Sequence, residues 1–426
     1  MRGLGRIVAV VTLLAIGMRL PAAAAVAGPP AVEAAWVQWT AGGLQLRLVT
    51  TRPACPAADV DGRILAMGLR AAPAPGFPMT VCQADLPAGA RQVSVEGRPA
   101  PLPSGSPRRI LVFGDTGCRL KGSAVQDCND PRAWPFARIA RLAAARAPDL
   151  VIHVGDYYYR ETPCPADRAG CAGSPFGDRW ATWKAEFFTP AAPLLAAAPW
   201  VFARGNHESC ARGGYGWFRL LDAGAQPLAC PAVSAPFRVD LGGLSLYVLD
   251  SADADDRSPT PAGVAAFGAQ IDRLRPGAGA PSGWIVTHRP IWGLAPVAGL
   301  GPLGPIEVAL NRTEQAAADG RDLSAVQMVV SGHVHHFAAY AFGPARPAQL
   351  VAGTGGDAGE AGDRAAVRLG APRIDGMDAE SASFLRYGYL LLERTGDDWV
   401  GAFRDLDDRI VAHCRLHGRR ISCMPG

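Results

Sequence analysis

Five short polar segments contain aspartate, asparagine or histidine, four of them begin with glycine, and each follows a largely apolar run. They are GDTG (114–117), GDYYY (155–159), GNHE (205–208), THRP (287–290) and GHVHH (332–336). The oxygen and nitrogen donors in these segments are Asp115, Asp156, Tyr159, Asn206, His207, His288, His333 and His335. Carboxylate, amide and imidazole donors of this kind suit transition metals, so the sequence predicts a pair of metal ions.

The position of Asp156 needs an explanation, because this carboxylate closely follows the apolar run LVIHV and precedes three tyrosines. Taken alone, a glycine turn followed by a capping aspartate explains such a segment. Two neighbouring cations, however, repel each other unless an anionic ligand bridges them. A carboxylate at the meeting point of two strands can do this, and we therefore expect Asp156 to be the bridging ligand.

His333 and His335 are separated by one residue and would point the same way in an extended chain. A tight turn led by Gly332, which tolerates unusual backbone angles, can aim them at different ions. Any single histidine or aspartate of this type is more often a structural group or a helix cap. The prediction of a functional site therefore depends on all five segments occurring together.

The apolar runs before these segments alternate with stretches typical of helices. ILVFG, LVIHV, WVFAR, LSLYVLD, WIVT and VQMVVS are predicted strands, and PFARIARLAAARA, DRWATWKAEFF and residues 260–275 are predicted helices. This alternation predicts βαβ units and an α/β domain. Ligands bind at the carboxyl ends of strands in such sheets, where all five segments fall. FAAYAF, AQLVAG, YGYLLLE and RIVAHCR are expected to complete the sheets.

Composition divides the chain into four predicted parts. Residues 1–27 combine Arg2 and Arg6 with a short apolar run and small residues, which predicts a signal peptide. The run is shorter than the ~20 residues of a membrane span. Short alternating apolar stretches predict a small β-rich domain over 28–98, followed by a Pro/Ser-rich linker over 99–109 and a catalytic domain over 110–426.

Charge and cysteine content fit an exported protein of the periplasm or the extracellular space. The net charge is +4 and falls to about +1 when three arginines leave with residues 1–27, so nothing indicates nucleic-acid binding. Ten cysteines, with no CxxC spacing, predict disulfides rather than a zinc site. The expected local pairs are Cys55–Cys82, Cys118–Cys128, Cys164–Cys171, Cys210–Cys230 and Cys414–Cys423.

The ordered segments resemble the motifs of calcineurin-like metallophosphoesterases and, within them, of purple acid phosphatases. Those motifs are GDxG, GDxxY, GNH(D/E), a late histidine before a loop, and GHxH, and the resemblance covers roughly residues 108–360. It implies a βαβ sandwich of two mixed sheets flanked by helices, preceded by the β-rich domain. It also implies iron held by Asp115, Asp156, Tyr159 and His335, and zinc, manganese or iron held by Asp156, Asn206, His288 and His333.

The resemblance also implies roles for residues beside the ligands. Many relatives outside the purple branch carry a histidine where this chain has Gly117, so Tyr159 would supply the missing ligand; Tyr157 and Tyr158 are expected to pack. His207 would contact the phosphate and protonate the leaving oxygen, with Glu208 as its orienting partner. Arg289 is either a contact to the substrate anion or part of a surface salt bridge.

The predicted function is hydrolysis of small-molecule phosphate monoesters by a metal-activated water or hydroxide. The expected protein is an exported hydrolase with no membrane span once the signal peptide is removed. Two alternatives stay open: a phosphodiesterase of the same fold, and an exported metal- or phosphate-binding protein without catalytic activity. The intact His207 and the complete ligand set favour an enzyme.

Overall fold

The computed structural model describes residues 31–275, 282–297, 306–309, 311–358 and 367–426. The predicted signal peptide, residues 1–27, lies outside the described residues. Val32–Gly426 form one compact unit. Among the described residues, no helix has both the length and the apolar character needed to cross a bilayer.

The strands and helices have the following bounds. The strands are β1 Val32–Thr40, β2 Gly43–Thr50, β3 Ala57–Val60, β4 Arg63–Ala66, β5 Gly68–Ala71, β6 Thr80–Asp85, β7 Val93–Val95, β8 Arg98–Ala100, β9 Arg109–Phe113, β10 Leu120–Lys121, β11 Ala124–Val125, β12 Leu150–His153, β13 Trp200–Phe202, β14 Phe237–Asp240, β15 Ser245–Val248, β16 Gly283–Val286, β17 Leu294–Val297, β18 Ile306–Ala309, β19 Val326–Ser331, β20 Phe337–Ala341, β21 Ala348–Ala352, β22 Val367–Gly370, β23 Arg373–Ile374, β24 Met377–Asp378, β25 Glu380–Phe384, β26 Tyr389–Thr395, β27 Asp398–Arg404, β28 Ile410–His417 and β29 Arg420–Pro425. The α-helices are α1 Phe136–Ala145, α2 Trp180–Trp183, α3 Thr189–Leu195, α4 Gly214–Leu220, α5 Pro261–Leu274 and α6 Arg312–Ala318. A π-helical stretch, Lys184–Phe188, joins α2 to α3.

Two large mixed sheets dominate the described part of the chain, and this confirms the predicted α/β fold. The first has eleven strands in the order β29-β28-β27-β26-β9-β12-β13-β1-β2-β6-β5, and the second has eight in the order β14-β15-β16-β19-β21-β20-β25-β22. β9, β12 and β13 are parallel neighbours, as are β15, β16, β19 and β21. Parallel neighbours end at the same edge, so the polar segments that follow them come together.

The sheets pack face to face, and the outer face of the eleven-stranded sheet is covered by helices. Alternate side chains of β9 pack on opposite faces of the eleven-stranded sheet. Ile110 and Val112 join the core between the sheets, whereas Leu111 and Phe113 pack in the layer that contains α1 and α3. Because both faces are buried, the last four residues of the strand, ILVF, are all apolar instead of alternating with polar residues.

The N-terminal β region is built into the first sheet. β1 pairs antiparallel with β2 and parallel with β13, where Gln38 lies opposite Trp200. β1, β2, β5 and β6 thus continue the eleven-stranded sheet, while β3, β4, β7 and β8 form a smaller one. The sequence predicts a separate domain over 28–98 and a linker over 99–109; in the structure the residues from Val32 to 109 belong to the same compact unit as residues 110–426.

Two buried arginines of the N-terminal strands bind the end of α4. Arg47 donates to the carbonyl oxygens of Leu220 (2.9 Å) and Asp222 (2.8 Å), and Arg70 donates to that of Arg219 (3.0 Å). These carbonyls lie at the helix C-terminus, where unpaired acceptors and the negative end of the helix dipole favour cations. The N-terminal region therefore holds the helix that follows the GNHE segment.

Five disulfides are present, and they confirm the expected pairs. They join Cys55 to Cys82, Cys118 to Cys128, Cys164 to Cys171, Cys210 to Cys230 and Cys414 to Cys423. Cys118 directly follows GDTG, and Cys210 lies two residues after GNHE. Two of the disulfides therefore cross-link the loops that carry polar segments.

Replacing Arg47 with methionine should lower the free energy of unfolding by about 2–5 kcal/mol, because buried carbonyls at the end of α4 lose their donor. Equilibrium unfolding in urea measures this change. Arg63→Met is the matched control; that side chain is exposed on β4, and its loss should cost within about 0.5 kcal/mol. An Arg47→Met protein that unfolds at the wild-type midpoint would contradict this role.

Candidate metal centre

The polar segments after β9, β12, β13, β16 and β19 place their side chains in contact. Asp115, Asp156 and Tyr159 form the first group. The Tyr159 hydroxyl lies 3.2 Å from Asp115 Oδ1, 2.8 Å from Asp156 Oδ2 and 3.1 Å from His335 Nε2. Asp115, Asp156 and Tyr159 are almost completely buried. Two carboxylates, one phenol hydroxyl and one imidazole therefore converge on one point.

Asn206, His288 and His333 form the second group. Asn206 Oδ1 lies 2.9 Å from His288 Nε2 and 2.9 Å from His333 Nδ1. His288 Nε2 also lies 3.2 Å from Asp156 Oδ2, so Asp156 contacts both groups. The candidate ligand atoms of Asp156, His288 and His333 all lie within 4.8 Å of one another. The carboxylate predicted to bridge two ions is the one shared by both groups.

The donor set fits cations. His288 Nδ1 lies 2.8 Å from the carbonyl oxygen of Val154, which can only accept, so Nδ1 carries the proton. In the neutral ring, Nε2 then presents a lone pair to the oxygens of Asp156 and Asn206, an arrangement that a cation between them would stabilise. His335 repeats the pattern, with Nδ1 placed 2.9 Å from the Ala358 carbonyl.

The pKa values of His288 and His335 also indicate that this region favours positive charge. Burial lowers the pKa of His288, but the Asp156 carboxylate more than offsets this and raises it to about 9. Burial likewise lowers the pKa of His335, and Asp357 and Asp115 raise it to about 9. Both rings therefore lie in a negative potential, which favours positive charge at this edge of the sheets.

Three of the candidate ligands lie in the left-handed region of the backbone: Asp115 at φ 57°, Asp156 at φ 60° and His333 at φ 69°. Such conformations cluster at functional sites. The prediction that Gly332 adopts the unusual backbone angles is wrong, because His333 adopts them. Gly332 has a different role, since a Cβ there would overlap Asp115 Oδ2.

Glu208 does not orient His207, contrary to the sequence analysis. Its carboxylate accepts hydrogen bonds from the backbone N–H groups of Asp156 (3.0 Å), Tyr157 (2.8 Å), Tyr158 (2.9 Å) and Gly205 (3.0 Å). The physical reason is local: residues 206–208 form a single 3₁₀ turn, so the Glu208 side chain reaches back to its own N-terminus. Glu161 Oε1 is the carboxylate oxygen beside His207, 2.9 Å from Nδ1.

Glu186 binds the other end of the GDYYY segment. Its Oε1 accepts from the backbone N–H groups of Cys118 (2.7 Å) and Tyr159 (2.9 Å). It lies in the π-helical stretch, a feature frequent at functional sites. A Cβ at Gly117 would lie 2.7 Å from Glu186 Oε1 and would also overlap the Tyr159 ring. A histidine at position 117 is therefore incompatible with this placement of Tyr159.

The pKa values of these two glutamates reflect deep burial. Burial raises the pKa of Glu186 to about 7, opposed by Arg160 and the backbone N–H groups. Burial and the neighbouring Asp156 raise that of Glu208 to about 8. Both carboxylates nevertheless accept only from backbone donors in the contacts above, which suits the ionised form.

His207 lies at the edge of the first group. Its ring packs on Tyr159 with centroids 3.8 Å apart, and its Nε2 lies 3.9 Å from Asp156 Oδ2. Tyr157 and Tyr158 lie instead in the aromatic core between the sheet and the helices. The Tyr157 hydroxyl donates to the Ala203 carbonyl at 2.9 Å. Of the three tyrosines, only Tyr159 directs its hydroxyl to the carboxylates.

Arg289 lies behind His333. Its guanidinium is ion-paired with Asp256, and Nη1 is 2.9 Å from His333 Nε2. Only 10% of the Arg289 side chain is exposed, so the ion pair is largely buried rather than on the surface. Its contact to a substrate anion stays a prediction.

Four acidic residues at the site were missed by the sequence analysis: Glu161, Glu186, Asp256 and Asp357. Asp256 Oδ2 lies 3.1 Å from His333 Nε2, and Asp357 Oδ2 lies 3.1 Å from His335 Nδ1. Carboxylates in this position orient imidazole ligands. The glycine-rich stretch VAGTGGD (351–357) is a signal that could have pointed to Asp357, whereas the other three carry no motif.

Replacing Glu208 with glutamine should destabilise the fold by about 2–4 kcal/mol, because one carboxylate oxygen is exchanged for an amide donor that faces backbone N–H groups. Metal content measured by atomic emission should fall with it, since Asp156 is one of the residues anchored. Glu393→Gln, a half-exposed ion-pair partner on β26, is the control. Wild-type stability and metal content in Glu208→Gln would rule out the anchoring role.

Comparison with known proteins identifies a family and two similar folds. Residues 108–337 match the calcineurin-like phosphoesterase family. The fold is similar to purple acid phosphatase PPD1 from yellow lupin (Lupinus luteus) seeds, at 14% identity over 88% of this chain and 72% of that one, with a TM-score of 0.53. It is also similar to PhoD, at 12% identity over 92% of each chain and a TM-score of 0.57. No curated protein sequence matches significantly. The match over more than half of its length shows that the chain belongs to the calcineurin-like phosphoesterase family.

Proposed function

We propose that this chain is an exported, dinuclear metal-dependent phosphoesterase that hydrolyses phosphate monoesters. The observation that carries the proposal is the position of Asp156. Its Oδ2 contacts the Tyr159 hydroxyl of one donor group and His288 Nε2 of the other. A shared carboxylate between two sets of hard and borderline donors is the arrangement that two adjacent cations require.

The two donor groups divide the ligands between the ions. Asp115, Asp156, Tyr159 and His335 would hold one ion, which we take to be iron because a tyrosine belongs to this set. Asp156, Asn206, His288 and His333 would hold the other, which is zinc, manganese or iron. Asp357 and Asp256 support His335 and His333 from behind, as carboxylates do for imidazole ligands.

When bound, the ions act as Lewis acids toward the phosphoryl group and activate water for attack on phosphorus. To His207 we assign contact with the phosphate and donation of a proton to the leaving oxygen; the position of its Nε2, 3.9 Å from Asp156 Oδ2, supports this assignment. The Tyr159 ring packs against His207 and limits its rotation. Arg289 neutralises Asp256 and stands near His333, from where its positive charge favours an anionic substrate.

Export is supported by the five disulfides, because such bonds persist in oxidising compartments. A periplasmic or extracellular location agrees with the predicted signal peptide. The substrate would be a small phosphate ester.

The first test compares 4-nitrophenyl phosphate with bis(4-nitrophenyl) phosphate, using protein supplied with iron plus zinc or manganese. We expect higher kcat/KM for the monoester, and loss of activity on chelation that the metals restore. Preference for the diester would instead support a phosphodiesterase. Two bound ions with hydrolysis of neither ester would favour a binding protein and contradict the proposal.

Two variants separate metal binding from proton transfer. Asp156→Asn should lower kcat by about a thousand-fold or more and reduce bound metal, because the shared anionic ligand is lost. His207→Ala should lower kcat by about 10²–10⁴-fold while metal content stays at the wild-type level. Metal loss in His207→Ala would contradict the role assigned to this residue.

A further inference from the structure

Two cationic side chains lie at the His207 edge of the site, and the proposed mechanism uses neither. Lys121 Nζ is 3.7 Å from Glu161 Oε2, and Arg212 Nη2 is 3.0 Å from Glu161 Oε1. The same carboxylate lies 2.9 Å from His207 Nδ1. Both cations are therefore separated from His207 by a single side chain.

The hairpin of β10 and β11 holds the main chain of Lys121 in place. The Leu120 N–H donates to the carbonyl oxygen of Tyr159 (3.1 Å), and the Leu120 carbonyl oxygen accepts from the Glu161 N–H (3.0 Å). A disulfide spans the hairpin. Leu120 is buried and Lys121 is exposed, because successive side chains of a strand point to opposite sides. Lys121 therefore has a fixed backbone and a side chain that reaches solvent beside the site.

Positive charge exceeds negative charge on this side of the site. Arg119, two residues before Lys121, is balanced by its ion pair with Asp357. In the described part of the chain, the ion pairs of Lys121 and Arg212 both go to Glu161. One carboxylate balances only one of these two cations, so one positive charge remains.

The rim beside His333 has the opposite sign. Residues 250–257 contain four aspartates and one arginine, and Asp256 Oδ2 lies 3.1 Å from His333 Nε2. Two of the aspartates are ion-paired with arginines from outside this segment. Asp253 and Asp255 are exposed and have no such partner among the described residues. The site therefore has a positive side at His207 and a negative side at His333.

The role assigned to His207 decides which part of a substrate meets the positive side. A side chain that protonates the leaving oxygen must lie next to that oxygen. The leaving group is then on the His207 side of the metal centre, which Lys121 and Arg212 line. A leaving group with a negative charge of its own is attracted to the unbalanced cation, whereas a neutral leaving group is not.

We propose that Lys121 is a specificity-determining residue, which together with Arg212 favours phosphate esters whose leaving group carries a second anionic group. The inference rests on the function proposed above for the hydrolysis itself. Binding of a phosphonate, which cannot be hydrolysed, needs no turnover, so the two proposals can fail separately.

The first experiment compares two phosphonates that differ by one charge, 4-carboxybenzylphosphonate and its 4-carbamoyl analogue, by calorimetry with zinc-loaded protein. We expect the carboxylate to bind about two- to fivefold more tightly, which is the size of a half-exposed charge pair. This preference should shrink at high salt, because salt screens exposed charges. Equal binding of the two compounds, or a preference for the amide, would overturn the proposal.

Charge variants test whether Lys121 is responsible. Lys121→Met should lower the preference by about two- to fivefold, and Glu161→Gln, which removes the shared negative charge, should raise it by a similar factor. Damage to the site would not shift the preference in opposite directions. Lys184→Met is the matched control, because Lys184 is the other lysine of the chain, both lysine side chains are 46% exposed and both are paired with a glutamate. A wild-type preference in Lys121→Met would reject the proposed role.

The second experiment measures hydrolysis of 4-carboxyphenyl phosphate and 4-carbamoylphenyl phosphate. The ratio of their kcat/KM values should change among the wild type, Lys121→Met and Glu161→Gln as the binding preference does. The intrinsic reactivities of the two esters cancel, because the same ratio is compared in each protein.

The outcomes separate the two levels of inference. If the wild type hydrolyses neither ester, the proposed function fails and phosphonate binding alone decides the role of Lys121. If the wild type is active and the ratio is the same in all of these variants, the proposed function stands and the specificity role is rejected.

Discussion

The anchoring of the GDYYY backbone by two buried glutamates is the interaction on which the rest of the site depends. Asp156 has a left-handed backbone at φ 60°, and its segment has no regular secondary structure to pair its N–H groups. Glu208 accepts from Asp156, Tyr157 and Tyr158, and Glu186 accepts from Tyr159. Buried backbone donors need partners, so these carboxylates allow the segment to leave the strand geometry and turn two side chains toward the same point.

The anchored region also contacts the second sheet. Glu208 follows β13 and Glu186 lies in the helical layer outside the eleven-stranded sheet, whereas His288 and His333 come from the other sheet. His288 reaches across to the carbonyl of Val154, next to the anchored segment. The relative position of the sheets therefore sets the distance between the donor groups, and the core between the sheets holds that position.

Buried carboxylates beside the candidate metal centre are paired with arginines. Asp256 and Asp357 stand behind His333 and His335, and each carboxylate is itself paired with an arginine, Arg289 or Arg119. Such arrangements reduce the cost of burying charge, because every ionised group has an opposite partner. Far from the site, the buried Arg47 and Arg70 donate instead to backbone carbonyl oxygens at the end of α4. The N-terminal strands thus contribute to the support of the segment that carries Asn206 and His207.

Local sequence determined much of this protein. The strands before each polar segment, the α/β class, the disulfide pairs and the candidate ligands follow from apolar runs, short cysteine separations and ordered motifs, all of which act over a few neighbouring residues. Tertiary structure decided the rest: the joining of β1 to β13, the left-handed angle at His333, and which carboxylate faces His207. Glu208 belongs to the GNHE segment, whereas Glu161, Glu186 and Asp256 carry no motif. Their roles arise from contacts between segments far apart in the chain, which depend on how the two sheets and the helical layer pack.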